Sequence, residues 1–145
     1  EATDGFVTDY ARRVAALGLS ELAAGDDGNT LGPLAQALVN LAFAEDPELC
    51  RHAAKALGHV ALKEVNKRRV VRAGGVGLFC SLLQRGRDAK DLELQRTAAK
   101  GLANLSSTDR KTRATVIKEV ESSVPAVHDF TDSVVNLYLE MVFTS

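Results

Sequence analysis

An all-α solenoid of about three helical repeats is the fold class this sequence predicts, and three observations predict it. "DPELCRHAAKALGHVA", residues 46 to 61, returns 45 positions later as "DLELQRTAAKGLANLS", residues 91 to 106, identical at eight of the sixteen positions. Apolar residues recur at helical spacing, and almost nothing alternates with the period of two that a strand needs. A fainter echo lies upstream, where "AALGLS" (15 to 20) lines up with "KALGHV" (55 to 60) at an offset of 40. Units repeating at such a period stack side by side, because one unit alone cannot bury its own apolar face.

In chain order, a degenerate first copy occupies roughly residues 6 to 24, closed by a helix over "GPLAQALVNLAFA" (32 to 44). Asp46-Pro47 then fits a helix start, with Asp46 as N-cap, Pro47 in the first turn and Glu48 near the positive end of the dipole. Leu49, Ala53, Leu57 and Val60 step by 4, 4 and 3 and share one buried stripe. Leu94, Ala98, Leu102 and Leu105 do the same in the second copy, and the Ala pairs at 53–54 and 98–99 let a neighbouring helix approach closely. After the long helix come a basic connector in the stretch "NKRRVVR", a short helix ending at the glycines of "RAGGVG", and a second apolar helix beginning "LFCSLLQRG". "DRKTRATVIKEVESSVPAVHDF" echoes that stretch after the second long helix, with slips of one to three residues. The single solenoid over 1–145 divides into units 6–45 (degenerate), 46–90 and 91–145. The last stretch, "TDSVVNLYLEMVFTS", is apolar on a broad face. It reads as a closing helix or, preferably, as a surface awaiting a further repeat, which would also offer a dimerisation surface.

The composition is that of a folded chain: 46% apolar, 26% charged and only three prolines. No apolar run approaches the eighteen or so residues that span a membrane, and no basic-then-apolar leader is seen. A cytoplasmic location is expected, with the nucleus as the alternative. The chain opens at Glu1 without an initiator Met, so it reads as a fragment of a longer array. Cys50 and Cys80 sit in apolar-periodic surroundings and are expected to be reduced, mostly buried thiols. Charge is strongly segregated: residues 1–48 carry a net −7, residues 49–118 a net +11 and residues 119–145 a net −5. Such blocks imply a charged partner, or attraction between the blocks themselves.

The composite pattern "ELxRxAAxALxNLA…N…VVxAGGVxxLxxLL" resembles an armadillo repeat, and residues 91–106 carry its nearest instance. The resemblance is strong from 46 to 106 and loose at both ends. HEAT repeats have similar periods, but the Gly-Gly turn and the following Val-x-x-Leu favour armadillo. The resemblance implies a right-handed superhelical scaffold whose long helices line a concave groove for extended peptides or other domains. In the nuclear-import adaptors of that family the groove helix carries a Trp and, four residues on, an Asn. Those positions fall here on Lys55 and His59, on Lys100 and Asn104, and in the first copy on Ala15 and Leu19. Only Asn104 matches, and the chain has no Trp, so the shelves that hold basic nuclear-localisation peptides are missing. The catenin branch uses a basic groove instead, which implies an acidic, extended partner.

Helical geometry gives the same face. Arg51, Lys55 and His59 form one i, i+4, i+8 stripe, about 200° around the helix from the core stripe, and Arg96, Lys100 and Asn104 form its match. Stacked, they would make a basic ladder in which Lys and Arg hold carboxylates and Asn104 bonds a peptide amide. The bland alternative is that solvent-facing helix positions are commonly Lys or Arg. A second basic patch, Lys67, Arg68, Arg69 and Arg72 beside Lys63, offers phosphate contacts to nucleic acid or anionic lipid. Nothing aromatic is interleaved with it, and a solvated connector is the favoured reading.

No catalytic constellation emerges, so the chain is read as a non-enzyme without cofactor or metal. G-x-S-x-G is absent, and "AGGVG" lacks the spacing of a phosphate-binding fingerprint. Cys50, His52 and His59 are spaced by 2 and 7, which does not bring three ligands to one ion. His128 has no evident partner beyond Asp129, and the Asn104-Leu-Ser106 sequon is discounted because it lies in a helix. The expected function is a protein–protein interaction scaffold. The alternatives are a regulatory or substrate-recruiting arm of a larger enzyme, such as a ubiquitin ligase or a lipase-like protein, and a purely structural segment.

Overall fold

A computed structural model describes residues 36–40 and 47–144, and every regular element among them is helical. A short helical stretch at 36–40 is followed by α1 (Pro47–Val60), α2 (Glu64–Arg72), α3 (Gly75–Ala89), α4 (Leu92–Ser106), α5 (Arg110–Ser123) and α6 (Ser133–Thr144). The Asp46 cap and, apart from 36–40, the degenerate first copy lie outside the described residues.

The repeated phrase forms two long helices, α1 and α4, and its apolar stripe is the packing face. Leu49, Ala53, Leu57 and Val60 are buried on α1, as are Leu94, Ala98, Leu102 and Leu105 on α4. α4 is the central helix, packed against α3, α6 and α1, while α3 bridges to α5. One continuous core runs from Leu38 and Val39 through α1, α3 and α4 to Val135, Leu139 and Val142 of α6.

The short helix expected ahead of the glycine turn is the nine-residue α2, whose Val70 joins the core; it also takes in the basic stretch that was expected as a connector. Asn66, which fills the Asn position of the sequence pattern, is fully buried and donates from Nδ2 to the Val60 carbonyl at 3.1 Å. It thereby satisfies one of the carbonyls that the end of α1 leaves open. Gly74, at φ 93, ends α2 and turns the chain into α3, a left-handed conformation that costs a glycine little. Lys90 takes the same role after α3 at φ 56, with its N–H on the Arg87 carbonyl and that of Asp91 on Gly86.

The echo after α4 departs from its template. Residues 110–123 make one helix, α5, where the first copy makes α2, a glycine turn and α3. No Gly-Gly pair interrupts α5, so the helix runs on until Val124, which is extended ahead of Pro125 as a residue preceding proline prefers. The following turn is pinned from α3. Arg87 donates to the carbonyls of Pro125 (2.6 Å) and Ala126 (3.0 Å), and its guanidinium lies 3.6 Å from the centre of the Phe130 ring.

The α3–α4 contact is limited by one ring. A Cβ placed on Gly101 would come 2.5 Å from the fully buried Phe79 ring, too close without movement. Gly101→Ala is therefore expected to destabilise by about 1 kcal/mol, since overpacking costs ~1–3 kcal/mol and removing a helical glycine returns ~1 kcal/mol. In a Phe79→Leu background the same change should be neutral or stabilising. Urea unfolding of the four-member cycle measures this, and equal effects in both backgrounds would show that the ring does not set the spacing.

Candidate functional site

The repeated bases Arg51 and Arg96 each meet an aspartate that opens the next long helix. Arg51 Nη1 lies 3.2 Å from Asp91 Oδ2, while Asp91 Oδ1 accepts the Leu94 N–H at the start of α4. Arg96 makes a two-pronged contact with Asp132, Nε to Oδ2 at 3.0 Å and Nη2 to Oδ1 at 2.7 Å. Asp132 also accepts the Val135 N–H at the start of α6. Each aspartate thus caps a long helix and binds an arginine of the preceding one. The Arg96 guanidinium holds the Asp132 carboxyl down at about 2, and Asp132 in turn raises Arg96.

The second basic patch is divided in the same way. Arg68 Nε reaches Asp109 Oδ2 at 3.2 Å, and Asp109 caps α5 by accepting the Thr112 N–H and hydroxyl. Those Thr112 bonds come first, with Arg68 behind them, in holding Asp109 at about 2. Lys67 is a correction to the solvated reading: it is buried, donates to the Ser107 carbonyl at 2.6 Å and pairs with Glu64 at 3.3 Å. It needs those partners because an ammonium taken out of water must be compensated. Arg69 is half-buried, and Arg72 is exposed beside a groove shared with Lys111 and Thr115. Cys50 and Cys80 are both buried thiols, as expected, and burial pushes Cys80 up to about 12.

The other ladder residues converge. Lys55, His59, Lys100 and Asn104 line a groove of about 280 Å³ between α1 and α4, floored by Ala54, Gly58, Thr97 and Gly101 and flanked by Leu62. Gly58 helps to leave the space open, since a Cβ there would meet nothing within 4 Å. Lys55 Nζ sits 2.8 Å from Glu93 Oε1 with both side chains more than half exposed, and that contact lowers Glu93. Among the described residues no partner is found for the side chains of His59, Lys100 or Asn104. The sequence had offered Arg51 and Arg96 as groove residues; the structure turns both charges onto cap aspartates. Asp91, Asp132 and Glu93 were missed as partners, although Asp46, Asp91 and Asp132 each stand five positions before Arg51, Arg96 and Leu137.

A stack of capped helices tied end to end, with a groove along the long helices, defines a helical-repeat fold. More particularly, residues 63–107, which span α2, α3 and α4, match the model of the armadillo/beta-catenin-like repeat. In structure the chain is similar to crystal structures of engineered proteins from the Northeast Structural Genomics Consortium. One has a TM-score of 0.69 at 26% identity, over 90% of this chain and 53% of the other. A second has 0.70 at 23% identity, over 90% and 55%, and a third 0.69 at 26%, over 90% and 32%. The chain therefore spans about half the length of the first two and a third of the last. No curated protein matches it in sequence. No helix among the described residues is long and apolar enough to cross a membrane, and none of those residues form a cluster of three or more metal-ligating side chains.

The cap aspartates predict an acid response. Asp109 and Asp132 are depressed to about 2 from an ordinary 3.8, so they bind fewer protons folded than unfolded. Their contribution is complete above about pH 4 and is lost as pH falls through about 2. Denaturant midpoints should drop steeply across that window in the wild type and less steeply in Asp109→Asn/Asp132→Asn. Parallel curves would mean that these carboxylates do not govern acid stability.

Proposed function

We propose that the chain is a non-enzymatic protein-interaction scaffold that holds an extended, acidic segment of a partner in the groove between α1 and α4. The observation that carries this is Lys100: an exposed ammonium on the groove wall, with no carboxylate partner among the described residues, beside an uncommitted Asn104 amide. An ammonium and an amide side by side suit a peptide carboxylate and the adjacent backbone. Lys55 adds a second cation, because its exposed pair with Glu93 is worth little and yields readily to a competing carboxylate. Arg51 and Arg96 leave the binding set and join the framework. The armadillo repeat at 63–107 supports the scaffold reading as a class.

Binding of a fluorescent glutamate-rich peptide tests the proposal. Lys100→Glu is expected to weaken binding by tenfold or more, since charge-assisted bonds are worth about 1.5–3 kcal/mol and about 1.4 kcal/mol is a factor of ten. Asn104→Ala should weaken it less, and added salt should weaken the wild type. The melting temperature of Lys100→Glu should stay near that of the wild type. Equal binding by the wild type and Lys55→Glu/Lys100→Glu would remove the groove from the mechanism.

A further inference from the structure

The three long helices can be set in register on their leading aspartates. Five and nine positions after Asp46 stand Arg51 and Lys55; after Asp91, Arg96 and Lys100; after Asp132, Leu137 and Met141. Two positions after Asp91 stands Glu93, and two after Asp132 stands Val134. The register is physical as well as textual, because Asp91 and Asp132 each cap their helix and bind the arginine of the helix before. The buried stripes correspond too: Leu94 and Ala98 on α4 answer to Val135 and Leu139 on α6.

Two consequences follow at the groove. Lys55 is met by Glu93 from the next helix, but the equivalent neighbour of Lys100 is Val134, which has no charge to give. Beyond Lys100 the ladder turns apolar: Val134 is 36% exposed, Leu137 61% and Met141 52%. This line was expected to be part of a face awaiting a further repeat. Its register instead continues the groove stripe, while Val135, Leu139 and Val142 supply the packing face of α6.

We infer that α6 is the apolar half of the same groove, and that the partner segment carries a carboxylate for Lys100 and, next to it in sequence, one or two apolar side chains for Leu137 and Met141. The inference rests on the groove reading and specifies its ligand. Charge and apolarity on the two adjoining helices are complementary to one amphipathic strand, whereas a wholly acidic segment would leave its carboxylates over Leu137 without compensation. A second copy of the chain seated on α6 is the competing occupant.

Two peptides of equal charge distinguish the outcomes, one of glutamate and serine, the other with Leu and Phe replacing serines on one side of the glutamates. The apolar-containing peptide should bind the wild type about tenfold more tightly, as expected for burying roughly one large apolar side chain. Leu137→Gln/Met141→Gln should abolish that preference and leave the glutamate–serine peptide unaffected; Lys100→Gln should weaken both. Both positions are exposed, so an unchanged melting temperature checks that the variant is folded. If both peptides bind the wild type equally, the apolar half falls and the groove reading stands. If neither binds, both fall. If the wild type sediments as a dimer that Leu137→Gln/Met141→Gln dissociates and the peptide does not, α6 is a self-association surface and the inference is overturned.

Discussion

The aspartates that open α4 and α6 are the constraint on which the remaining architecture depends. A carboxylate at a helix start satisfies N–H groups that the first turn leaves open and sits at the positive end of the dipole. Asp91 and Asp132 do that and also receive an arginine from the long helix of the preceding unit. Stacked amphipathic helices can slide, because burial is non-directional. A hydrogen-bonded ion pair with two fixed ends resists sliding. Arg68 on Asp109 repeats the device along the other helices, and Lys67 on the Ser107 carbonyl holds the far end of α4. Sequence separations of 36 to 41 residues in these contacts show that they tie one helix to another far along the chain, where helix-internal pairs would tie only neighbours.

Charge segregation along the chain acquires a structural meaning in these terms. The basic middle needs anions at its unit boundaries, and the acidic carboxy-terminal block supplies one of them as Asp132. Attraction between blocks and an outward-facing binding surface are therefore not exclusive. Arginines take the ties, as suits a planar fork that grips a carboxylate on two atoms. Lysines 55 and 100, compact and strongly hydrated, stand in the groove, where a cation has to exchange water or a weak partner for a ligand.

Periodicity made the helical class, the two packing stripes and the turn at Gly74 legible in the sequence, because each depends on local spacing. The convergence of Lys55, His59, Lys100 and Asn104 was legible too, as positions on one helix face in two aligned copies. What escaped was the partner of each base. Asp91 reads locally as a cap, and nothing in its neighbourhood announces an arginine 40 residues earlier. The single helix α5 escaped for the converse reason: the echo matched in hydrophobic content, while a missing glycine pair decided whether the chain would turn. Lys67 looked like one base among four, and only the packing of α2 against the end of α4 reveals that it is buried.

Packing and the proposed recognition are separable in this fold because they use opposite faces of the same helix. The cap aspartate is retained from α4 to α6, and so is the small-and-apolar stripe beneath it, since each unit must stack on the last. Above that invariant frame the groove positions change from a paired lysine at 55, through an unpaired lysine at 100, to a methionine at 141. All three side chains stand in solvent, off the packing face. A gradient from charged to apolar along one line therefore lies outside the packing stripe. In the proposed binding mode, what it would select is the order of side chains in the partner segment.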